Sequence, residues 1–163
     1  MATHILRTPE KFVPVSFKCG QTVVGLVLFN RGDEGIYERG VGITQVKHTT
    51  LGGMLPGDMI QELRDRGFTA ERSNGRFDRE IADLRSLLDD GNPVPLFVNR
   101  GLGHWIAAWG YDDDHVYAYD TARRVKRDER GLTKYSNEEL LEYWRSHWLW
   151  GKFCGEFYYV AIS

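Results

Sequence analysis

The sequence predicts an α+β fold, with helices in the first half of the chain and a mostly antiparallel sheet in the second half. Two observations predict this order. Before residue 93, apolar residues recur at helical spacing in stretches that end at glycines. From residue 94 to residue 162 the chain instead contains short runs rich in β-branched and aromatic residues. Helices that are segregated from an antiparallel sheet are typical of α+β domains.

Three helices are predicted in the first half. The first begins at Cys19 and continues through residues 22–29, which are apolar nearly all round, as expected of a buried central helix. A proline or an aspartate in the first turn and a glycine after the last turn mark the other two helices, at residues 56–66 and 78–90. Asp78 is the expected N-cap of the third helix.

The second half is predicted to form most of the sheet. Strands are expected at residues 68–71, 95–98, 104–111, 115–119 and 157–162. Three consecutive acids at residues 112–114 form a tight hairpin turn between two of these strands. Ser136 and Glu139 form a capping-box pattern, which predicts a fourth helix that extends to Trp144.

The whole chain, residues 1–163, is predicted to be one domain. A chain of 163 residues buries roughly 68–70% of its unfolded surface, so that no metal or disulfide is needed to stabilise it. The hydrophobic content of 42% and the charged content of 27% are those of an ordinary globular protein. No linker, repeat or low-complexity segment interrupts the sequence.

The charge pattern gives no indication of nucleic acid or of a membrane as a partner. The formal net charge is −2, and the densest basic stretch, residues 123–130, contains Asp128 and Glu129, which favours a solvated loop. No apolar run reaches the ~18 residues that span a bilayer. Residues 1–11 lack the apolar core of a signal peptide, so we expect the protein to be cytoplasmic, or exported without a classical signal peptide.

No metal or other cofactor is expected. The acids at residues 112–114 lack the remaining oxygen ligands of a calcium loop, and no Cys/His pair has zinc-ligand spacing. The two cysteines, Cys19 and Cys154, are interpreted as free thiols. Cys154 precedes an apolar segment and is expected to be a small hydrophobic residue in or near the core.

Cys19 is the strongest candidate for a reactive residue. A cysteine with its ordinary pKa of about 8.5 is mostly protonated at neutral pH, whereas only the thiolate is a good nucleophile. The start of a helix offers unpaired N–H groups and a partial positive charge, and both stabilise the thiolate. The backbone N–H of Cys19 is a natural donor to an oxyanion, and Gly20 is expected to leave room for a substrate backbone.

His104 and Asp120 are the expected partners of this thiol. His104 follows Gly101 and Gly103 and begins a predicted strand, so a glycine-containing loop delivers the imidazole to the edge of the sheet. The next strand runs back antiparallel and ends at Asp120, which brings the carboxylate close to the ring. A carboxylate in this position orients the imidazole.

At these positions the sequence resembles a known family. The motifs Cys19-Gly20-Gln21-Thr22 and Gly103-His104-Trp105 resemble those of the papain-like cysteine peptidases of the bacteriocin-processing type, which cleave double-glycine leaders. Further segments that carry the resemblance are residues 57–68, 93–98, 103–112, 116–120 and 136–144. The resemblance covers about residues 13–162. It implies a papain-like fold in which Cys19 is the nucleophile, His104 is the general base and acid, and Asp120 orients the imidazole.

One position departs from the family pattern. Such peptidases usually carry a glutamine, an oxyanion donor, some six residues before the cysteine, and Val13 stands there in this sequence. Ser16, Lys18 or Gln21 can substitute, or the oxyanion hole is weakened. The residues expected at the oxyanion or substrate positions are Gly20, Gln21, Ser16, Gly103 and Trp105.

The leading hypothesis is a thiol hydrolase that cleaves a peptide or isopeptide bond in a peptide or protein substrate. An acyltransferase or transglutaminase-like enzyme with the same residues stays open, as does a binding module that has lost activity. A processing protease, a peptidoglycan amidase and a toxin are all compatible with the sequence. Most tryptophans are expected in the core, although they could line a cleft: Trp105, Trp109, Trp144, Trp148 and Trp150.

Overall fold

The computed structural model describes residues 3–15, 17–33, 45–73, 80–145 and 157–163. The helices among them are Cys19–Arg31 (α1), Pro56–Asp65 (α2), Glu80–Asp89 (α3) and Asn137–Trp144 (α4). The strands are His4–Ile5 (β1), Ala70–Arg72 (β2), Val94–Val98 (β3), His104–Tyr111 (β4), His115–Tyr119 (β5), Thr133–Ser136 (β6) and Val160–Ile162 (β7). The predicted α+β class is confirmed.

Most predicted elements are present with small changes of their ends. The last predicted strand, residues 157–162, is shortened to β7, because Phe157 has a left-handed backbone with φ of 52°. The sequence pattern predicts neither β1 nor β6. The first has only two residues, and the second runs directly into the capping box of α4, so its four residues show no alternation of their own. The predicted N-cap Asp78 lies outside the described residues.

The main sheet is antiparallel and is built around β4. This strand pairs with β5 on one side and with both β1 and β3 on the other, and β6 extends the sheet beyond β5. A second, two-stranded sheet joins β2 to β7. Because β4 lies in the middle, nearly all of its residues are buried, and its first residue is fixed by pairing with the end of β3.

Each face of the main sheet carries its own hydrophobic core. On one face α1 packs against alternate residues of β4, among them Trp105 and Trp109. On the other face α3 and α4 pack against the intervening residues, among them Ile106 and Ala108. The period-2 alternation of a strand therefore separates the two cores. No helix in the described part of the chain is both long enough and apolar enough to span a membrane.

Helix α1 is the buried central helix that the sequence predicts. Its residues from position 20 to position 29 are all buried. Lys18, immediately before it, has non-helical backbone angles, which places the first N–H groups of the helix at Cys19. Gly32 ends the helix in the left-handed conformation, with φ of 111°.

Glu62 of α2 is hydrogen-bonded to the backbone of the loop that precedes this helix. Its carboxylate is only 1% exposed, and it accepts hydrogen bonds from the backbone N–H groups of Lys47 at 2.8 Å and His48 at 3.1 Å. Arg66 pairs with it at 2.7 Å. Although burial raises the pKa of Glu62, these donors outweigh the effect and lower it. The loop leads to Met54, which contacts α1.

Replacing Glu62 by alanine is expected to destabilise the chain by about 3 kcal/mol, because it leaves three donors without their buried acceptor. Urea unfolding followed by circular dichroism measures the loss. Glu142, an exposed residue of α4, provides the matched control, and Glu142→Ala is expected to change stability by about 0.5 kcal/mol or less. Equal effects of the two substitutions would show that Glu62 does not hold the loop.

Candidate active site

Three side chains from distant parts of the chain meet at one point. Cys19 is the first residue of α1, His104 is the first residue of β4, and Asp120 directly follows β5. His104 Nε2 lies 2.8 Å from Asp120 Oδ1, and the sulfur of Cys19 lies close enough to the His104 ring for each group to shift the pKa of the other. Because Nε2 faces the carboxylate, Nδ1 is the ring nitrogen left for the sulfur. The proximity that the sequence predicts for these three residues is present.

The acidic hairpin turn brings Asp120 back to the ring. Strands β4 and β5 pair antiparallel, with Ala107 opposite Tyr119. In the turn, Asp112 Oδ1 accepts hydrogen bonds from the backbone N–H groups of Asp114 at 3.0 Å and His115 at 2.8 Å. The acids therefore close the turn through local hydrogen bonds, as turn aspartates do. Within the described ranges, no three His, Cys, Asp or Glu side chains are grouped as metal ligands.

Steric constraints explain why a glycine immediately precedes His104. Gly103 has φ of 110°, a conformation that side chains disfavour. A Cβ atom at this position would also collide with the ring of Phe97. Phe97 lies directly opposite Trp105 in the pairing of β3 with β4. Gly103 therefore lets the loop enter β4 tightly enough to place His104 at the first position of the strand.

The surroundings of the pair favour a charged sulfur and a charged ring. Burial raises the pKa of Cys19, but the hydrogen bond and the charge of His104, together with the backbone N–H groups of Trp105 and Gly20, outweigh it and lower the pKa. Burial lowers the pKa of His104, but hydrogen bonds to Asp120 and Cys19 outweigh it and raise the pKa to about 9. Both shifts favour the pair of thiolate and imidazolium, which is the reactive form of a thiol nucleophile.

Asp120 is fully buried, with 0% of its surface exposed, and has a donor for each oxygen. Oδ1 accepts from His104 and from the backbone N–H of Ala122 at 2.7 Å. Oδ2 accepts from the hydroxyls of Tyr135 at 2.6 Å and Tyr143 at 3.2 Å. Burial raises the pKa of Asp120, but the donors outweigh it, so the carboxyl is held ionised. The sequence did not predict either tyrosine at the site, because nothing in the local pattern distinguishes them from core aromatics.

Arg127 fixes the backbone that carries Asp120. Its guanidinium donates two hydrogen bonds to the carbonyl oxygen of Asp120, at 3.0 and 2.7 Å, and one to that of Ala122 at 2.6 Å. The basic stretch was predicted to be a solvated loop, and Arg123, Arg124 and Lys126 are indeed exposed. Arg127 is the half-buried exception, and it joins this loop to the end of β5.

The space beside Gly20 is filled from within the protein. A Cβ atom at Gly20 would lie 2.7 Å from Met54 Cβ, so the glycine accommodates Met54 where room for a substrate was expected. Trp105 is also committed to internal packing: it is 1% exposed, its Nε1 donates to the Met54 carbonyl at 2.7 Å, and its ring packs on Phe97. The indole of Trp105 therefore lines the core and not a cleft.

For the other residues predicted at the oxyanion hole, the structure gives only the degree of burial. Gln21 is buried within α1, and Lys18 and Val13 are half-buried. Ser16 lies outside the described residues, as do Cys154, Trp148 and Trp150. The remaining tryptophans, Trp109 and Trp144, are fully buried, as expected of core residues.

Comparison with solved structures identifies the fold. A double glycine motif protease from an AMS/PCAT transporter, solved in complex with the leader peptide, matches with a TM-score of 0.55 and 16% identity over 97% of this chain and 92% of its own. A Bacillus anthracis protein described as a C39-like peptidase matches with a TM-score of 0.60 and 14% identity over 100% and 98%. The peptidase domain of Streptococcus ComA, a bifunctional ABC transporter involved in quorum sensing, matches with a TM-score of 0.57 and 17% identity over 95% and 98%.

These matches confirm the papain-like α+β fold that the sequence predicts. The identities of 14–17% establish the fold alone. No protein-family model matches the sequence, and no curated protein matches it significantly.

Proposed function

We propose that the chain is a cysteine peptidase or amidase, in which Cys19 attacks the carbonyl carbon of a peptide or isopeptide bond. The observation that carries the proposal is the series of three groups in which Asp120 hydrogen-bonds to His104 and the His104 ring lies beside the Cys19 sulfur. This series supplies a nucleophile, a proton donor and an orienting carboxylate, the three roles that amide cleavage by a thiol requires. The peptidase names of the fold neighbours support the same reaction class.

The first half of the reaction forms a thioester. The Cys19 thiolate adds to the carbonyl carbon, and the negative charge moves to the carbonyl oxygen. The backbone N–H of Cys19, at the start of α1, is the donor available to that oxygen. The C–N bond then breaks as the His104 imidazolium transfers its proton to the leaving amine, which leaves an acyl group on the sulfur and a neutral imidazole.

The second half restores the enzyme. Neutral His104 accepts a proton from water, the hydroxide adds to the thioester carbonyl, and the C–S bond breaks to release the acid product and the thiolate. Asp120 holds the ring in one orientation in both halves. An amine that takes the place of water would receive the acyl group, which is the acyltransferase alternative.

Exposed apolar side chains close in sequence to Cys19 and to His104 support a peptide substrate. Phe17, two residues before Cys19, is 89% exposed, and Leu102, two residues before His104, is 80% exposed. Large exposed apolar residues on both sides of a reactive pair are typical of a binding rim for apolar ligand groups. The substrate proposed here therefore carries an apolar side chain close to the bond that is cleaved.

Acyl-enzyme formation tests this function. Mixing the protein with the p-nitrophenyl ester of an N-acetylated apolar amino acid and quenching with acid is expected to give one acyl group, located at Cys19 by peptide mass spectrometry. A Cys154→Ala variant, which keeps Cys19, is the matched control and should be acylated at the same rate. Equal acylation of Cys154 and Cys19 in the wild type would contradict the proposal. Addition of a primary amine then separates the two enzyme classes, because only an acyltransferase diverts most of the acyl group from water.

A further inference from the structure

The side of Asp120 that faces away from His104 is built from two tyrosines. Tyr135 lies in β6, opposite Val116 of β5, and Tyr143 lies in α4. Their rings are 5.6 Å apart and inclined by 36°, so both hydroxyls reach the same carboxylate oxygen, Oδ2. The strand that extends the sheet beyond β5 and the helix α4 thus converge on one atom.

Both tyrosines are themselves held in place. Tyr135 immediately precedes Ser136, whose side chain caps α4 by accepting from the Glu139 N–H at 3.1 Å. The carbonyl oxygen of Tyr143 accepts from the Asn99 N–H at 2.8 Å. The hydroxyl of Tyr143 also interacts with the guanidinium of Arg100 and raises its pKa. The positions of both hydroxyls are therefore set by the secondary structure around them.

We propose that Tyr135 and Tyr143 are positioning residues that fix the rotation of the Asp120 carboxylate, so that Oδ1 stays directed at His104 Nε2. This inference rests on the proposed function of the site. Without donors on Oδ2, the hydrogen bonds to the Asp120 carboxylate would be those from His104 and from the Ala122 N–H, and both of these reach Oδ1. A buried carboxylate bonded on one oxygen is free to rotate and is poorly compensated for its lost hydration.

The two hydroxyls are expected to contribute unequally. The Tyr135 bond, at 2.6 Å, has the short length of a charge-assisted hydrogen bond, whereas the Tyr143 bond is 3.2 Å long. Tyr143 also shares its hydroxyl with Arg100. Loss of the Tyr135 hydroxyl should therefore affect the carboxylate more than loss of the Tyr143 hydroxyl.

The test removes one tyrosine hydroxyl at a time. Tyr135→Phe is expected to lower kcat by roughly tenfold to a hundredfold, the effect of losing a hydrogen bond to a charged group, with KM changed by about twofold or less. Tyr143→Phe is expected to have a smaller effect in the same direction. Because a lost donor raises the pKa of Asp120, the acid limb of the pH profile should move to higher pH in Tyr135→Phe.

Tyr117→Phe is the matched control. Tyr117 lies in β5, and its hydroxyl donates to Asp112 Oδ2 at 2.7 Å, so this variant also removes a tyrosine–aspartate bond from the sheet, but at the turn and away from His104. It should keep the wild-type kcat and pH profile. A kcat in Tyr135→Phe within about threefold of the Tyr117→Phe value, with an unchanged acid limb, would overturn the inference.

A second readout is independent of turnover. The ¹⁵N chemical shifts of the His104 ring report its protonation and its bond to Asp120, and they are expected to change in Tyr135→Phe and to stay constant in Tyr117→Phe. Unchanged shifts in Tyr135→Phe would contradict the positioning role even if the wild type shows no amide turnover. If the wild type is not acylated at Cys19 while the shifts do change, the proposed function fails and the positioning role stands.

Discussion

Replacing Cys19 by alanine is expected to lower amide turnover by at least roughly ten-thousandfold, to the level of the uncatalysed reaction plus what binding alone contributes. The reason is that the proposed reaction passes through a bond to this sulfur. Substrate binding should be retained, because the apolar residues Phe17 and Leu102 are unchanged. Hydrolysis of a labelled peptide library, followed by mass spectrometry, measures the turnover.

The controls for this variant separate chemistry from folding. Cys19→Ala removes a half-buried side chain of small volume, so circular dichroism and the unfolding midpoint should show that it folds. Cys154→Ala should retain full turnover. Amide hydrolysis that survives in Cys19→Ala and is lost in Cys154→Ala would assign the reaction to the other thiol, and survival in both would assign it to neither.

The position of the site could be predicted because each of its three residues lies at the end of an element with a strong local signal. Cys19 begins an apolar stretch, His104 follows two glycines, and Asp120 ends the second strand of a hairpin. In a hairpin, the start of the first strand lies near the end of the second, so the contact between His104 and Asp120 follows from local geometry. The contact with Cys19 is a long-range one, and it was expected only because thiol, imidazole and carboxylate together suggest one chemistry.

The parts that were not predicted depend on packing between elements that are distant in sequence. Met54 fills the space above Gly20, and this contact comes from a loop that Glu62 holds in place. Tyr135 belongs to a four-residue strand with no periodicity of its own, and Tyr143 belongs to a helix whose pattern shows only which face is apolar. Sequence periodicity predicts the buried face of an element, but it does not predict which atom a buried hydroxyl will meet.

Because position 13 is valine and not glutamine, the proposed reaction depends more strongly on the charges and the N–H donors of the other groups around Cys19. Val13 has no hydrogen-bond donor in its side chain, so in the proposed reaction the backbone N–H of Cys19 and the charge of the imidazolium would act on the reacting carbonyl with less assistance. A sulfur that is already ionised reduces the barrier at the first step, because no proton has to be removed before attack. In the proposed reaction, the protonation states of Cys19 and His104 are therefore the property of this site that should most directly determine the rate.

The second large effect that we expect is a difference between the pH dependence of Cys19 alkylation and that of amide turnover. Because the pKa of Cys19 is lowered from 9.0, its alkylation by iodoacetamide at pH 7 should be faster than that of Cys154 in the guanidinium-unfolded chain, where only about 1% of a thiol with a pKa of 9.0 is ionised. Above pH 9 the alkylation of Cys19 should stay high. Amide turnover should instead fall above about pH 9, because His104, with a pKa of about 9, then loses the proton that the leaving amine needs.

The raised pKa of His104 and the lowered pKa of Cys19 change the free energy of unfolding with pH in opposite directions. The pKa of His104 is raised from 6.5 to about 9, so its contribution to stability is fully present below about pH 6.5 and is lost as the pH rises through 9. The pKa of Cys19 is lowered, so its contribution is present above 9.0 and is lost as the pH falls through the folded-state value. Over the pH range in which the folded pair is thiolate and imidazolium and the unfolded pair is thiol and neutral imidazole, the two slopes offset each other, because both states hold one proton on the pair.

Cys19→Ser tests this balance, since it removes the thiolate and keeps the ring. One of the groups that raise the pKa of His104 is then absent, so ¹⁵N titration of the ring should give a value below the wild-type one. A His104 pKa that is identical in the wild type and in Cys19→Ser would show that the sulfur carries no charge beside the ring. In that case alkylation and amide turnover would share a single dependence on thiol ionisation, and both rates would rise together through pH 9 instead of separating there.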